Sequence, residues 1–114
     1  MRSDILESDW KHFRQVQPLA LARFCEQILS ETARLSAQAG KSAHKRYLDV
    51  FQLIHDQDRE LGHLFDDPRR SRAHLQIAGI ATAELLTVEE IAGFSAEMQD
   101  WLKTFAVKFY DPGK

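Results

Sequence analysis

Residues 42–72 read SAHKRYLDVFQLIHDQDRELGHLFDDPRRSR, and this stretch decides how the chain folds. Apolar residues recur in it every three or four positions, which is the spacing of one face of an α-helix. That face consists of Tyr47, Leu48, Phe51, Ile54, Leu61, Leu64 and Phe65. Ser42 is a favourable N-cap, and Pro68 after Asp67 is typical of the first turn of a new helix. We therefore expect a long helix over 42–65 and another that starts at Pro68.

The chain before this stretch has the same helical periodicity. Pro18 is unfavourable in a helix interior, because proline lacks the backbone N–H, so it either kinks the first helix or begins the next one at its first turn. We expect a short helix that ends near Gln15 and a longer one over 18–39, terminated by Gly40. Two long helices joined by a short connection pack side by side, so the sequence predicts an antiparallel helical hairpin.

Three helices are expected after the hairpin. The first carries an apolar side made of Leu75, Ala78, Thr82 and Leu85. The second begins at the capping box formed by Thr87 and Glu90 and ends near Gly93. The third is capped by Ser95 and carries an aromatic-rich stripe of Met98, Trp101, Leu102, Phe105 and Phe109. The chain is thus predicted to be all-α, a compact single-domain bundle of five to six helices over 1–110 with a flexible tail at 111–114.

Composition and charge restrict the class of protein. The chain has 114 residues, 44% of them hydrophobic and 28% charged, as in a soluble globular domain. Its net charge of -2 argues against a dedicated nucleic-acid or membrane-surface binder. Cys25 is the single cysteine, and neither an apolar leader nor a run of about 18 apolar residues is present. We expect a cytoplasmic location and no membrane partner.

Asp58 is the anomaly of the long helix, because it places a carboxylate on the apolar face. A buried carboxylate needs a cation or hydrogen-bond donors. The arginines after Pro68 are suitable partners, and we expect Asp58 to meet Arg69 or Arg70. Arg69 and Arg70, together with Arg72, also form a candidate binding site for an anion, and Asp58 is itself a candidate functional carboxylate.

The arginine cluster at 69–72 supports one alternative function, a regulator that contacts an anion or nucleic acid. Glu60 and His63 support another, because a Glu-x-x-His pair places two metal ligands on one side of a helix. A di-iron carboxylate bundle requires two such pairs, and the chain has one. No metal, cofactor or catalytic set is predicted, so the chain is not expected to be an enzyme.

Trp101 belongs to a group of aromatic residues near both ends of the chain that exceeds what peripheral helices usually need. If these rings complete the core, they require no partner; if they are exposed, they form a surface for another helix. The sequence therefore favours a small non-catalytic protein-interaction or regulatory module, with Trp101 among its binding residues. A homodimer or another protein is the expected partner.

Overall fold

The computed structural model describes residues 5–113, and these residues form five helices and no β-strand. The helices are α1 (Glu7–Ser36), α2 (Ala43–Phe65), α3 (Arg70–Thr82), α4 (Val88–Ala92) and α5 (Ala96–Leu102). The predicted all-α class is confirmed.

Helix α1 runs through Pro18 without interruption, so the predicted division into two N-terminal helices is wrong. Pro18 is exposed, and the carbonyl of Arg14 that loses its partner lies on the same solvent side. Val16 and Ala20, on the opposite side of the helix, are buried. Packing on that side offsets the missing hydrogen bond.

Helices α1 and α2 run antiparallel. Near the start of α2, Arg46 donates a hydrogen bond to the carbonyl oxygen of Ser36 at the end of α1 (2.7 Å). At the other end of the pair, the rings of Phe24 and Phe65 lie 5.8 Å apart between centroids. The predicted N-cap is present, because the Ser42 hydroxyl accepts from the backbone N–H of Lys45.

Helix α3 starts at Arg70 rather than at Pro68, because Asp67 has a positive φ of 52° and Arg69 is extended. Its predicted apolar side is also rotated from the observed one, since Leu75 is 58% exposed and Thr82 is exposed. The buried residues of α3 are Ala73, Gln76, Ile77, Ala78, Ile80 and Ala81.

Helices α4 and α5 have the caps that the sequence predicts. Thr87 and Glu90 form both hydrogen bonds of the capping box, and Ser95 caps α5. Helix α5 ends at Leu102, however, so the aromatic stripe does not continue helically to Phe109. The segment after α5 returns to the bundle, where the Tyr110 N–H donates to the Leu86 carbonyl oxygen (2.8 Å). Within the predicted tail, Lys114 lies outside the described residues.

The hydrophobic core lies at one end of the long helices. It contains the first half of α1, the end of α2, and α3 to α5, with Phe13, Ile77, Ile80, Leu85, Leu86 and Met98 among its most buried side chains. Phe24 and Leu64 are the last buried residues of α1 and the first of α2, so the core ends where these two helices leave the bundle.

Candidate protein-binding site

Residues 25–63 form an arm, made of the second half of α1, the connection and most of α2. No residue of the arm is buried, although Phe24 and Leu64 at its base are each only 7% exposed. Ile28 and Leu61, near the base of the arm, still pack against the core. Within the arm, the apolar stripe of α2 is largely open to solvent.

One side of the arm carries most of its exposed apolar surface. We call it the arm face and define it by Cys25, Leu29, Tyr47, Phe51, Ile54, Asp58 and Leu61. A groove between α1 and α2 is lined by five of these residues together with Ile28 and Gln57. The exposed fractions are 59% for Leu29, 61% for Tyr47 and 56% for Phe51. Contiguous aromatic and aliphatic exposure of this kind is typical of an interaction surface.

The size of the exposed surface can be compared with that of an ordinary monomer. A compact protein of 13.1 kDa is expected to expose about 6,400 Å². This chain exposes 7214 Å², an excess of about 800 Å² over that expectation. Its radius of gyration is 16.6 Å, against about 13 Å for a compact chain of this length. The arm contributes to both differences, because it extends beyond the core.

The ion pairs of the arm lie away from the arm face. Asp49 accepts hydrogen bonds from Lys45 (2.8 Å) and Lys41 (3.0 Å), and these bonds lower the pKa of its carboxyl group. Asp49 is two residues from Phe51 and thus on the opposite side of α2. Glu31 and Arg34 form a second exposed pair. Exposed pairs contribute little to stability, so they do not substitute for a core.

Asp58 does not meet the arginines of α3, and that prediction is wrong. Asp58 is exposed and lines the groove of the arm face, about 10 Å along the helix from Phe65. Arg69 instead pairs with Asp67 (2.9 Å). Arg70 turns towards the start of α1, where it pairs with Glu7 (2.7 Å) and donates to the Ile5 carbonyl oxygen (3.2 Å).

The arginine cluster is thus only partly available for an external anion. Two of its members are engaged with carboxylates of the chain, while Arg72 is exposed. A binding role for Arg69, Arg70 and Arg72 stays a prediction.

Trp101 is half-buried and packs on the core. Its ring lies 5.1 Å from that of His74 and 4.9 Å from that of Phe105, between centroids. Trp101 thus helps to complete the bundle, and its binding role also stays a prediction. The larger aromatic exposure is that of Tyr47 and Phe51 on the arm.

Glu60 and His63 line a shallow polar groove on α2 together with Asp56 and Arg59. Within 5–113, no three side chains of His, Cys, Asp or Glu are grouped as metal ligands. The Glu-x-x-His pair therefore lacks a third ligand in the described part of the chain.

A polar network in the bundle was not predicted from the sequence. Arg23 forms a bidentate pair with Glu90 (2.6 and 3.0 Å), donates to the Leu85 carbonyl oxygen (2.9 Å) and lies over the ring of Tyr110 (4.6 Å). Burial alone would raise the pKa of Glu90, but hydrogen bonds from Arg23 and Thr87 outweigh it and lower that pKa. The capping box identified Glu90, whereas no local signal identifies Arg23, which is 67 residues earlier.

Asp9 is the second polar group that the sequence did not reveal. It is 2% exposed, and its carboxylate accepts from the N–H (2.7 Å) and the hydroxyl (2.6 Å) of Ser95. This contact attaches the start of α5 to α1. The contacts of Asp9 and Glu90 are separate, and together they are suited to positioning α5 and α4 against α1.

No helix among the described residues is long and apolar enough to cross a membrane. The chain has no significant match to any family model, curated protein or solved structure with which it was compared.

Proposed function

We propose that this protein is a small cytoplasmic helical module that binds protein through the arm face and acts by binding rather than by catalysis. The observation that carries the proposal is that residues 25–63 contain no buried residue, yet present several large apolar side chains on one side. The single cysteine, which cannot form an intrachain disulfide, fits a reducing compartment and supports the cytoplasmic location.

The arm by itself lacks the burial of apolar surface that stabilises helices in proteins. Helices in proteins are stabilised mainly by packing of an apolar side, and isolated helices are marginal in water. Each square ångström of apolar surface removed from water contributes about 25 cal/mol. A partner that covers Leu29, Tyr47 and Phe51 would supply the burial that the bundle supplies at the other end.

The shape of the surface favours a protein partner over a small ligand. From Tyr47 to Leu61 the arm face extends for about 21 Å along α2, a length that fits another helix. Its groove is open and shallow, whereas small molecules bind in enclosed pockets. Asp58 within the arm face opposes insertion into lipid, where a carboxylate is costly. Exposed tyrosine and phenylalanine are typical of the centres of protein interfaces.

Site-specific photo-crosslinking tests this proposal. Benzoylphenylalanine replaces Phe51 in the full chain, and cells that express this variant are irradiated. A second variant with the same replacement at Phe109 is the matched control. The two phenylalanines are comparably exposed, at 56% and 47%. We expect a discrete covalent adduct from position 51. Excess wild-type protein should compete this adduct away, whereas an equal excess of the Leu29→Glu variant should not. The absence of an adduct, or equal adducts from both positions, would refute the proposal.

A further inference from the structure

We infer that the partner of the arm face is a second copy of this chain, bound antiparallel so that the two arms form a four-helix bundle about a two-fold axis. This inference rests on the proposed function and specifies its partner. The antiparallel pairing places Phe51 of each copy against Ile54 of the other, and Tyr47 against Asp58.

The amount of exposed surface fits such a dimer. The whole chain exposes about 800 Å² more than expected for a compact monomer of its mass, which is of the same order as the area that each partner buries in a standard interface. Two helices that expose one apolar side form half of a four-helix bundle, and a second copy provides the other half. A two-fold axis requires one surface that is complementary to itself.

The order of residues along α2 provides that self-complementarity. Tyr47, Phe51, Ile54 and Asp58 are separated by four, three and four residues, the alternation of a helix seam. This spacing is symmetric about the midpoint between Phe51 and Ile54. When a second α2 lies antiparallel about that midpoint, two apolar layers occupy the centre and a tyrosine faces a carboxylate in each outer layer.

The outer layers explain why a carboxylate lies on the apolar side of α2. Asp58 would accept a hydrogen bond from the hydroxyl of Tyr47 of the second copy, so neither polar group would be left without a partner in the interface. A hydrogen bond to an ionised acceptor is stronger than one between neutral groups. Within one chain the two residues are 11 positions apart, about 16 Å along the helix, and cannot form this bond.

Charged substitutions at Tyr47 and Asp58 test whether the two copies pair antiparallel. In the antiparallel dimer, Tyr47→Asp places a carboxylate against Asp58 of the other copy at both ends, and we expect association to weaken at least tenfold. Adding Asp58→Lys converts each pair of carboxylates into an ion pair and should restore association. In a parallel dimer each residue would face its own counterpart, so the double variant would bring together two aspartates and two lysines and would not be restored.

Sedimentation equilibrium of the purified full chain supplies the measurement. We expect twice the 13.1 kDa monomer mass for the wild type and the double variant, and the monomer mass for Tyr47→Asp at the same concentration. Leu29→Glu should also be monomeric, whereas Leu75→Glu, at a leucine of nearly equal exposure (58% against 59%), should remain dimeric. Circular dichroism at the same concentration checks that each variant keeps its helices.

The outcomes separate this inference from the proposed function. If Leu29→Glu abolishes the dimer but adding Asp58→Lys to Tyr47→Asp does not restore it, the antiparallel pairing is overturned. The wild type could instead stay monomeric at 100-fold the concentration used for crosslinking, while position 51 crosslinks to a different protein. That result would overturn the inference that the partner is a second copy and would leave the proposed function intact. A monomer that also gives no crosslink would overturn both.

Discussion

The two ends of helices α1 and α2 differ in what stabilises them. At the bundle end, side chains such as Phe13 and Ile77 are almost fully buried, and the charged groups Asp9 and Glu90 are enclosed by donors. Along the arm no residue of the same two helices is buried, and their ion pairs lie at the surface. The same pair of helices thus contributes to a hydrophobic core at one end and has no core at the other.

This difference separates folding from binding within a small chain. A substitution in the bundle changes the free energy of unfolding of each molecule, whereas one on the arm face should change mainly its association. Substituting residues of the same type at the two ends is therefore the most direct test of this difference.

The largest contrast is expected between two phenylalanines. Phe13→Ala removes a ring that is 2% exposed and should lower the free energy of unfolding by about 3–5 kcal/mol, because it leaves a cavity. Phe51→Ala, in the arm, should change it by less than about 0.5 kcal/mol. Urea denaturation at the lowest usable protein concentration, where association is minimal, measures both. Similar losses at the two positions would show that the arm has a core of its own.

A smaller contrast is expected between two aspartates. Asp9→Ala leaves the N–H and hydroxyl of Ser95 without their acceptor, and should cost about 2–3 kcal/mol. Asp58→Ala should change the stability of the isolated chain by less than about 0.5 kcal/mol, since Asp58 is exposed there. Thermal unfolding in dilute solution gives both values. If Asp58→Ala costs as much as Asp9→Ala, Asp58 has an intramolecular partner that its exposure does not indicate.

Local signals in the sequence predicted the parts of the fold that depend on neighbouring residues. The capping box at Thr87 and the N-caps Ser42 and Ser95 act within four residues, so they were visible without the structure. The bounds of α2 follow from the same kind of signal. Pro18 was misleading, because its cost depends on whether the rest of the helix is packed, which is a property of the tertiary structure.

The candidate site could be predicted only in part. The apolar period of α2 identified Tyr47, Phe51 and Ile54 as one side of a helix, but periodicity does not reveal whether that side meets a core or solvent. The partners of Arg70 and Arg23 were missed for a related reason. Glu7 and Glu90 lie more than sixty residues away from them in sequence, and only the packing of α1 brings them together.

The smallest contrast is expected between two glutamates as the pH falls. Folding lowers the pKa of Glu90, whose ordinary value is 4.5, so its contribution to stability is complete above that pH. The contribution is lost as the pH falls from 4.5 through the lower pKa of the folded state. Folding also lowers the pKa of Glu31, mainly through its hydrogen bond from Arg34, but that pair is exposed.

Urea midpoints between pH 7 and pH 3 distinguish the two glutamates. We expect Glu90→Gln to reduce the acid-induced loss of stability in both low and high salt, because the bidentate pair with Arg23 is only 14–18% exposed. Glu31→Gln should have a smaller effect that disappears in 1 M salt, where the Debye length is about 3 Å. Acid profiles that are parallel to the wild type for Glu90→Gln would mean that the ion pair of the bundle is as weak as those of the arm. The arm would then differ from the bundle only in its lack of apolar burial, which is the property that its partner has to supply.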